Sequence, residues 1–204
     1  ILAREDADAA AIVQAVMVRD GVRLILSSTL QRVERAGDGK VLHYLKDGKA
    51  ESETVDEILV GAGRAPNVEG LGLEAAGVEF DRTGVQVTDD LRSTNGRIYA
   101  AGDVAMRWKF THAAEDAARI AVQNALFPGR RKLSALTMPW CTYTDPEVAH
   151  VGMYERDARE RGFEVDTFVH HWSDVDRAIA DGEEEGFVKI HVKKGTDQIL
   201  GGTI

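Results

Sequence analysis

The sequence predicts an α/β arrangement followed by an α+β unit. Three observations predict it. A helix, a strand, a hairpin and a further strand alternate over the first 60 residues. A short apolar run ending in Gly102-Asp103 then leads into a long helix of small residues. After Thr137 the texture changes to several strands around one charged helix.

Taken in order, Ala9, Ile12, Val13 and Val16 follow the i, i+3, i+4, i+7 spacing of a helix face. Asp6 or Asp8 supplies its cap and Asp20-Gly21 its end. Val22 to Leu26 reads as a strand, and Thr29 to Arg35 with Lys40 to Lys46 as a hairpin about Gly37-Asp38-Gly39. Asp47-Gly48 is another turn, and Thr54 to Val60 a strand that is apolar at its end. Gly61 to Gly84, with six glycines and Pro66, reads as a long connection with one short helical turn at Leu73 to Ala76. Val85 to Thr88 is a short strand, and Thr94-Asn95-Gly96 a turn before the apolar strand Ile98 to Ala101. The helix that begins near Thr111 carries a stripe of Ala114, Ala117, Ala118, Ala121, Val122 and Ala125, and Pro128-Gly129 stops it. Arg130-Arg131-Lys132 is a solvated connection or a domain boundary. Beyond it, Trp140 to Thr144 is a strand stopped by Asp145-Pro146, and Glu155 to Arg161 a charged helix ended by Gly162. Glu164 to His170, Gly186 to Val192 and Gln198 to Ile204 are strands, the last two joined by the turn Lys194 to Asp197.

With 204 residues and 44% hydrophobic content, the chain can bury a core in one large or two small domains. A net charge of -9 without a long basic run argues against nucleic acid or an anionic membrane as partner. No apolar run approaches the ~20 residues that span a bilayer, and no leader pattern is present. Cys141 is the only cysteine, so an internal disulfide is impossible, in keeping with a reducing cytoplasm. The chain opens on Ile1 and ends on an apolar run, so both ends read as cut from something longer.

The candidate site is Gly102-Asp103 together with the helix start. Gly102 lets the backbone turn and approach a ligand closely. Asp103 puts a carboxylate at the carboxyl end of a strand, where open α/β sheets bind ligands. The backbone N–H groups of Thr111, His112 and Ala113 would favour an electron-rich group. A hydroxyl acceptor beside a positive helix end suits a flavin's ribityl chain and pyrimidine ring; the plainer reading of Asp103 is a turn cap. Gly61-x-Gly63 follows a strand, but Pro66 stands where a dinucleotide fingerprint needs its third glycine. Cys141 reads as buried and inert. His170 and His171 would face opposite sides of a strand, so they do not chelate together, and no metal site is expected. Trp172 reads as packing, Glu183-Glu184-Glu185 as a solvated turn, and Asp145-Pro146-Glu147 as a strand end.

Several segments resemble a known family. Asp56 to Asn67 (DEILVGAGRAPN) looks like the place where the chain re-enters the FAD domain of pyridine nucleotide-disulfide oxidoreductases. Arg97 to Val104 resembles that family's second flavin motif, and Thr142 to Gly152 the start of its dimerisation domain. Arg177-Ala178, Gly186 to Ile190 and Ile199 to Gly202 continue the resemblance in order, so it covers essentially the whole chain. Dihydrolipoamide dehydrogenase-like and mercuric reductase-like members look nearest, and Phe110 to Ala114 with Asn124 to Arg130 lean toward the latter. The resemblance implies that residues 1–53 are the tail of the nicotinamide-nucleotide domain, 54–133 the second segment of the FAD-binding domain, and 134–204 the truncated first part of an antiparallel dimerisation domain. It implies FAD and NAD(P)H as cofactors of the parent enzyme, with FAD binding weak or absent in this piece because most of the adenine and pyrophosphate site is missing, Asp103 on a ribityl hydroxyl, and the Thr111 helix end on the flavin ring. Gly63 and Arg64 would lie where the chain passes the flavin, Arg64 being equally suited to a structural salt bridge. The family's first glycine-rich fingerprint, its redox cysteine pair, its second glycine-rich turn and its His-Pro with glutamate are all missing here. The expectation is therefore an internal piece of an FAD-dependent oxidoreductase, with no catalytic residue of its own. The alternative is a non-catalytic module that self-associates through 134–204.

Overall fold

The computed structural model describes residues 1–204. The backbone divides into two compact units, one of Ile1–Gly61 with Cys141–Ile204 and one of Ala62–Trp140.

In the first unit, α1 (Ala7–Arg19) starts at Asp6, whose carboxylate accepts from the N–H groups of Asp8 and Ala9. Its buried face is Ala9, Ala10, Val13 and Val16, close to the predicted stripe. A three-stranded antiparallel meander follows: β1 (Ser28–Ala36), β2 (Gly39–Lys46) and β3 (Lys49–Val55). Its turns are the ones the sequence marks. Asp47 and Gly48 both take positive φ, 50° and 76°, which matches the twist of a two-residue hairpin.

One expected strand is absent and another is cut short. Val22 to Leu26 is unpaired, and β3 ends at Val55, opposite Lys40 near the start of β2, instead of running on to Val60. Leu59 and Val60 are 98% and 79% exposed. Their patterns are strand-like, but a strand also needs a neighbour to complete its ladder, and none lies beside these segments.

The rest of this unit is built on β6 (Pro139–Thr142, in this unit from Cys141 on), β7 (Val148–Gly152), β8 (Val165–His171), β9 (Phe187–Lys193) and β10 (Ile199–Thr203), in the order β6-β7-β10-β9-β8. Helices α3 (Glu155–Glu160) and α4 (Asp176–Asp181) lie in its connections. The sequence reading marks β6, α3, β8, β9 and β10, but neither β7 nor α4. Ala9 and Val13 of α1 share a core with Val148 and Phe187. Phe187, Lys189 and His191 alternate inward along β9. The Lys189 ammonium donates to both carboxylate oxygens of Asp6, at 2.8 and 2.9 Å, and to Asp8 at 2.6 Å. Burial pushes the Lys189 ammonium down, but its bonds to Asp6 and Asp8 outweigh this and hold it above the usual lysine value.

In the second unit, a short pair, β4 (Phe80–Asp81) and β5 (Gly84–Val85), precedes a single 3₁₀ turn at Gly102–Val104 and α2 (Thr111–Leu126). The core is Leu91, Met106, Ala113, Ala117, Ile120 and Met138. Ile98 to Ala101 is half-buried, as its apolarity suggests, but forms only one bridge, Arg92 to Tyr99, and is not a sheet strand. The buried face of α2 is Ala113, Ala117, Ile120 and Asn124, so of the predicted stripe only Ala117 is fully inside. The core selects Ile120 for its volume. Asn124 is accommodated because its amide accepts from Arg131 N–H at 2.8 Å and donates to the carbonyls of Asp90 and Arg131 at 3.0 and 2.9 Å. No helix is long and apolar enough to cross a membrane.

Candidate functional site

Asp103 lies in the Gly102–Val104 turn of the second unit. Gly102 has φ +77°, the left-handed region that side chains disfavour. A Cβ there would stand 3.2 Å from the Cβ of Ala114, so the bare glycine lets this turn lie against the first turn of α2. The Gly102 carbonyl accepts from the N–H groups of Ala105 and Met106, at 3.0 and 2.9 Å, and closes the turn. A second glycine works on the same spot. Gly84 has φ +127°, and a Cβ on it would meet the Val104 carbonyl oxygen at 2.3 Å. No motif in the sequence marks Gly84 as part of the site; its one signal is an isolated glycine at a strand start, the usual mark of close backbone approach.

The Asp103 side chain is about half exposed, and its nearest cation is Arg64, Nη1 standing 3.8 Å from Oδ2. The same Nη1 donates to the Lys109 carbonyl at 2.8 Å. Lys109 in turn donates through Nζ to the carbonyls of Asp103, at 2.8 Å, and Met106, at 3.3 Å. Arg64 and Lys109 thus tie the Asp103 turn to the segment entering α2. Gly63, at φ +102°, carries the exposed chain into Arg64.

Helix α2 opens without a side-chain cap. Its N-cap is Phe110, not Thr111, which is already the first helical residue. The first helical bond runs from Ala114 N–H to the Phe110 carbonyl at 3.0 Å. The N–H groups of Thr111, His112 and Ala113 precede it and are the donors a helix leaves over. No acidic side chain occupies this first turn. The His112 ring is otherwise engaged: Nε2 is 2.8 Å from the Pro139 carbonyl oxygen, and the ring stacks on Phe110 at 5.6 Å. Phe110 continues a row through Trp108, 6.3 Å away, to Trp140, a further 5.2 Å, with the Arg107 guanidinium 4.2 Å over Trp108. Five of the seven residues singled out from the sequence therefore gather at two adjoining turns, and Arg64 reaches them from the connection that Gly63 begins.

The remaining candidates stand apart. Cys141 is half-buried, and burial, with smaller contributions from Glu147 and Glu5, pushes its thiol up. His170 and His171 are exposed, and His171 stands edge-on to Phe187 at 6.3 Å. The Trp172 indole packs where a Cβ on Gly186 would be 2.4 Å from it, and Glu185 pairs with Arg19.

Residues 1–118 match the family described as pyridine nucleotide-disulphide oxidoreductase, and residues 138–204 match that family's dimerisation domain. The chain belongs to the pyridine nucleotide-disulphide oxidoreductase family. Among curated members, it is 35% identical over 189 residues to a mercuric reductase of Staphylococcus aureus, covering 92% of this chain and 35% of the relative. It is 35% identical over 205 residues to a dihydrolipoyl dehydrogenase of Rhizobium etli, covering 98% and 42%. Among solved structures, the HOCl-induced flavoprotein disulfide reductase RclA from Escherichia coli superposes with a TM-score of 0.85 at 27% identity, covering 100% of this chain and 46% of that one. LpdA from Mycobacterium tuberculosis gives 0.85 at 30%, covering 98% and 43%. The chain thus spans between about a third and a half of the length of the family members it matches.

Proposed function

We propose that this chain supplies the flavin-facing turn and helix, and the first part of the dimerisation domain, of an FAD-dependent oxidoreductase. That enzyme would pass electrons from NAD(P)H through FAD to a disulfide or a metal-ion substrate. The observation that carries the reading is the meeting of the Asp103 turn with the uncapped start of α2 in one unit. These residues fit the group. Two glycines keep Cβ atoms out of the turn, a half-exposed carboxylate offers an acceptor, and three backbone N–H groups offer donors. FAD, when bound, supplies the hydride and electron chemistry that no side chain here can perform.

In this reading Asp103 accepts a hydrogen bond from a ribityl hydroxyl and fixes the sugar-alcohol chain. Thr111, His112 and Ala113 donate backbone N–H groups to the electron-rich pyrimidine edge, and the positive end of α2 favours negative charge there by about 0.3–1 kcal/mol. Arg64 and Lys109 hold the turn and the helix entrance in register, and Gly63 lets the chain reach them. His112 contributes its backbone, its ring being occupied by Phe110 and Pro139. Residues 134–204 bring two copies together as a homodimer.

The test is calorimetric titration of the chain with FAD, FMN and riboflavin. All three carry the ribityl and pyrimidine groups, so all should bind with similar dissociation constants of about 1 mM, or about 4 kcal/mol. Asp103→Ala should weaken each about tenfold, the equivalent of about 1.4 kcal/mol and of one lost hydrogen bond. Equal binding by wild type and Asp103→Ala would overturn the assignment.

A further inference from the structure

The inner face of the β6–β10 sheet holds an ionisable cluster with no place in the flavin chemistry. His150 on β7 and His191 on β9 are each only 2% exposed. Thr203 of β10 pairs with His150 on one side and Lys189 on the other, and Gly201 pairs with His191. The His150 ring has Nδ1 2.8 Å from the Thr203 hydroxyl and Nε2 3.3 Å from the Gly152 carbonyl oxygen. Tyr154 covers the ring at 3.7 Å, and its hydroxyl donates to Glu5 at 2.8 Å. His191 has Nδ1 2.9 Å from the Thr167 hydroxyl of β8, while its Nε2 is buried with no partner.

Charged groups reach this face from several elements. Glu5, Asp6 and Asp8 come from the start of α1, Glu155 and Asp157 from α3, and Lys189 from β9 itself. The face is also where α1 is fastened, through Lys189 to Asp6 and Asp8 and through Tyr154 to Glu5.

We propose that this cluster is an acid-operated latch: proton uptake by His191 and His150 releases α1 from the sheet. A protonated His191 would hold a second N–H donor, with no acceptor, in a buried site that already contains the Lys189 cation. Solvating that donor requires opening the buried face on which the Glu5–Asp8 segment is held, by Lys189 two residues along β9 and by Tyr154, the cover of His150. Burial dominates and keeps the His191 imidazole below the usual histidine value, with Lys189 adding to it, against Glu155 first and Asp6 after it. Burial does the same at His150, against the Gly152 carbonyl, Glu5 and Asp6, with His191 adding to it. The sign follows from linkage. Docked, both rings titrate below the ordinary histidine value, and released they would titrate near it, so the released state binds more protons below about pH 6.5 and docking weakens as pH falls. Each ring contributes up to about tenfold per pH unit, and both together up to about a hundredfold.

The experiment is hydrogen exchange by mass spectrometry on the whole chain, normalised for intrinsic exchange, between about pH 7.5 and about pH 5. Protection of α1 amides should fall at least about tenfold, while β9 and β10 amides change by less than about threefold. The double variant H150Q/H191Q should lose this pH response. Imidazole NMR of the wild type gives an independent reading that needs no variant to fold: both rings should titrate below about 6.5. Flat α1 protection across the range, an unchanged response in the double variant, or rings titrating at or above the ordinary value would each overturn the latch.

Discussion

Gly102→Ala is the sharpest probe of the candidate site, because it adds one methyl group where two elements meet. The first cost is conformational. At φ +77° an alanine occupies the left-handed region, at about 1–2 kcal/mol. The second is steric. The new Cβ would stand 3.2 Å from the Cβ of Ala114, inside the ~3.5–4.0 Å optimum for two carbons. The first turn of α2 must then give by a few tenths of an ångström, at about 1 kcal/mol. The sum is about 2–3 kcal/mol. Trp108 and Trp140 belong to this unit and Trp172 to the other, so urea unfolding followed by tryptophan fluorescence in a Trp172→Phe background reads the loss. Combining G102A with Ala114→Gly removes the contact but not the φ strain, so a double-mutant cycle should show a coupling of about 1 kcal/mol. A loss below about 0.5 kcal/mol, or zero coupling, would refute the claim that this glycine sets the distance between the Asp103 turn and α2.

Lys189→Met should cost about 3 kcal/mol in chemical denaturation, since it strands Asp6 in a largely buried position. The wild-type pair has a pH window. Burial pushes the Asp6 carboxyl up, but Lys189 and the N–H groups of Ala9 and Asp8 outweigh it, so its stabilisation is present above the ordinary value of 3.8 and is lost as pH falls through its lower folded value. That of Lys189 is present below 10.5 and is lost as pH rises through its higher folded value; K189M should flatten both limbs. β8 is an outer strand with Phe168 and Val169 exposed, so light scattering over a dilution series should show self-association, weakened by Phe168→Glu; a strict monomer at high concentration would count against it. With one cysteine the chain cannot cycle between dithiol and disulfide, so NAD(P)H oxidation coupled to a disulfide acceptor should be absent even with added FAD, and measurable flavin-dependent turnover would contradict this.

What the sequence reveals and what it hides divides along physical lines. Local chemistry is legible. Asp6 caps α1, Asp47-Gly48 turns the meander, and both long helices begin and end within a residue or two of where their breakers stand. Pattern misleads where a partner is needed: Val22 to Leu26, Leu59-Val60 and Ile98 to Ala101 have strand chemistry and no strand beside them. In α2 small residues occur on more than one face, so composition alone does not select the buried one; Ile120 and Asn124 do. The candidate site is legible as two local motifs, Gly102-Asp103 and Thr111 to Ala113, brought together at Gly102; the less conspicuous Gly84 backs the turn from β5. The histidine cluster was not legible at all, since His150 meets Thr203 and Tyr154 meets Glu5 across 53 and 149 residues.

The first unit is assembled from the two ends of the chain, with Ala62–Trp140 synthesised between them. At ~5–20 residues per second, Val13 emerges from the ribosome roughly 7–27 s before Val148, the β7 residue it packs against. During that interval the apolar stripe of α1 has no home and is a natural handhold for a chaperone. After folding the dependence reverses: a protease cut anywhere in the intervening stretch leaves two pieces still clasped through Lys189, Asp6 and the Val13–Phe187 core, which should travel as one particle until denaturant separates them.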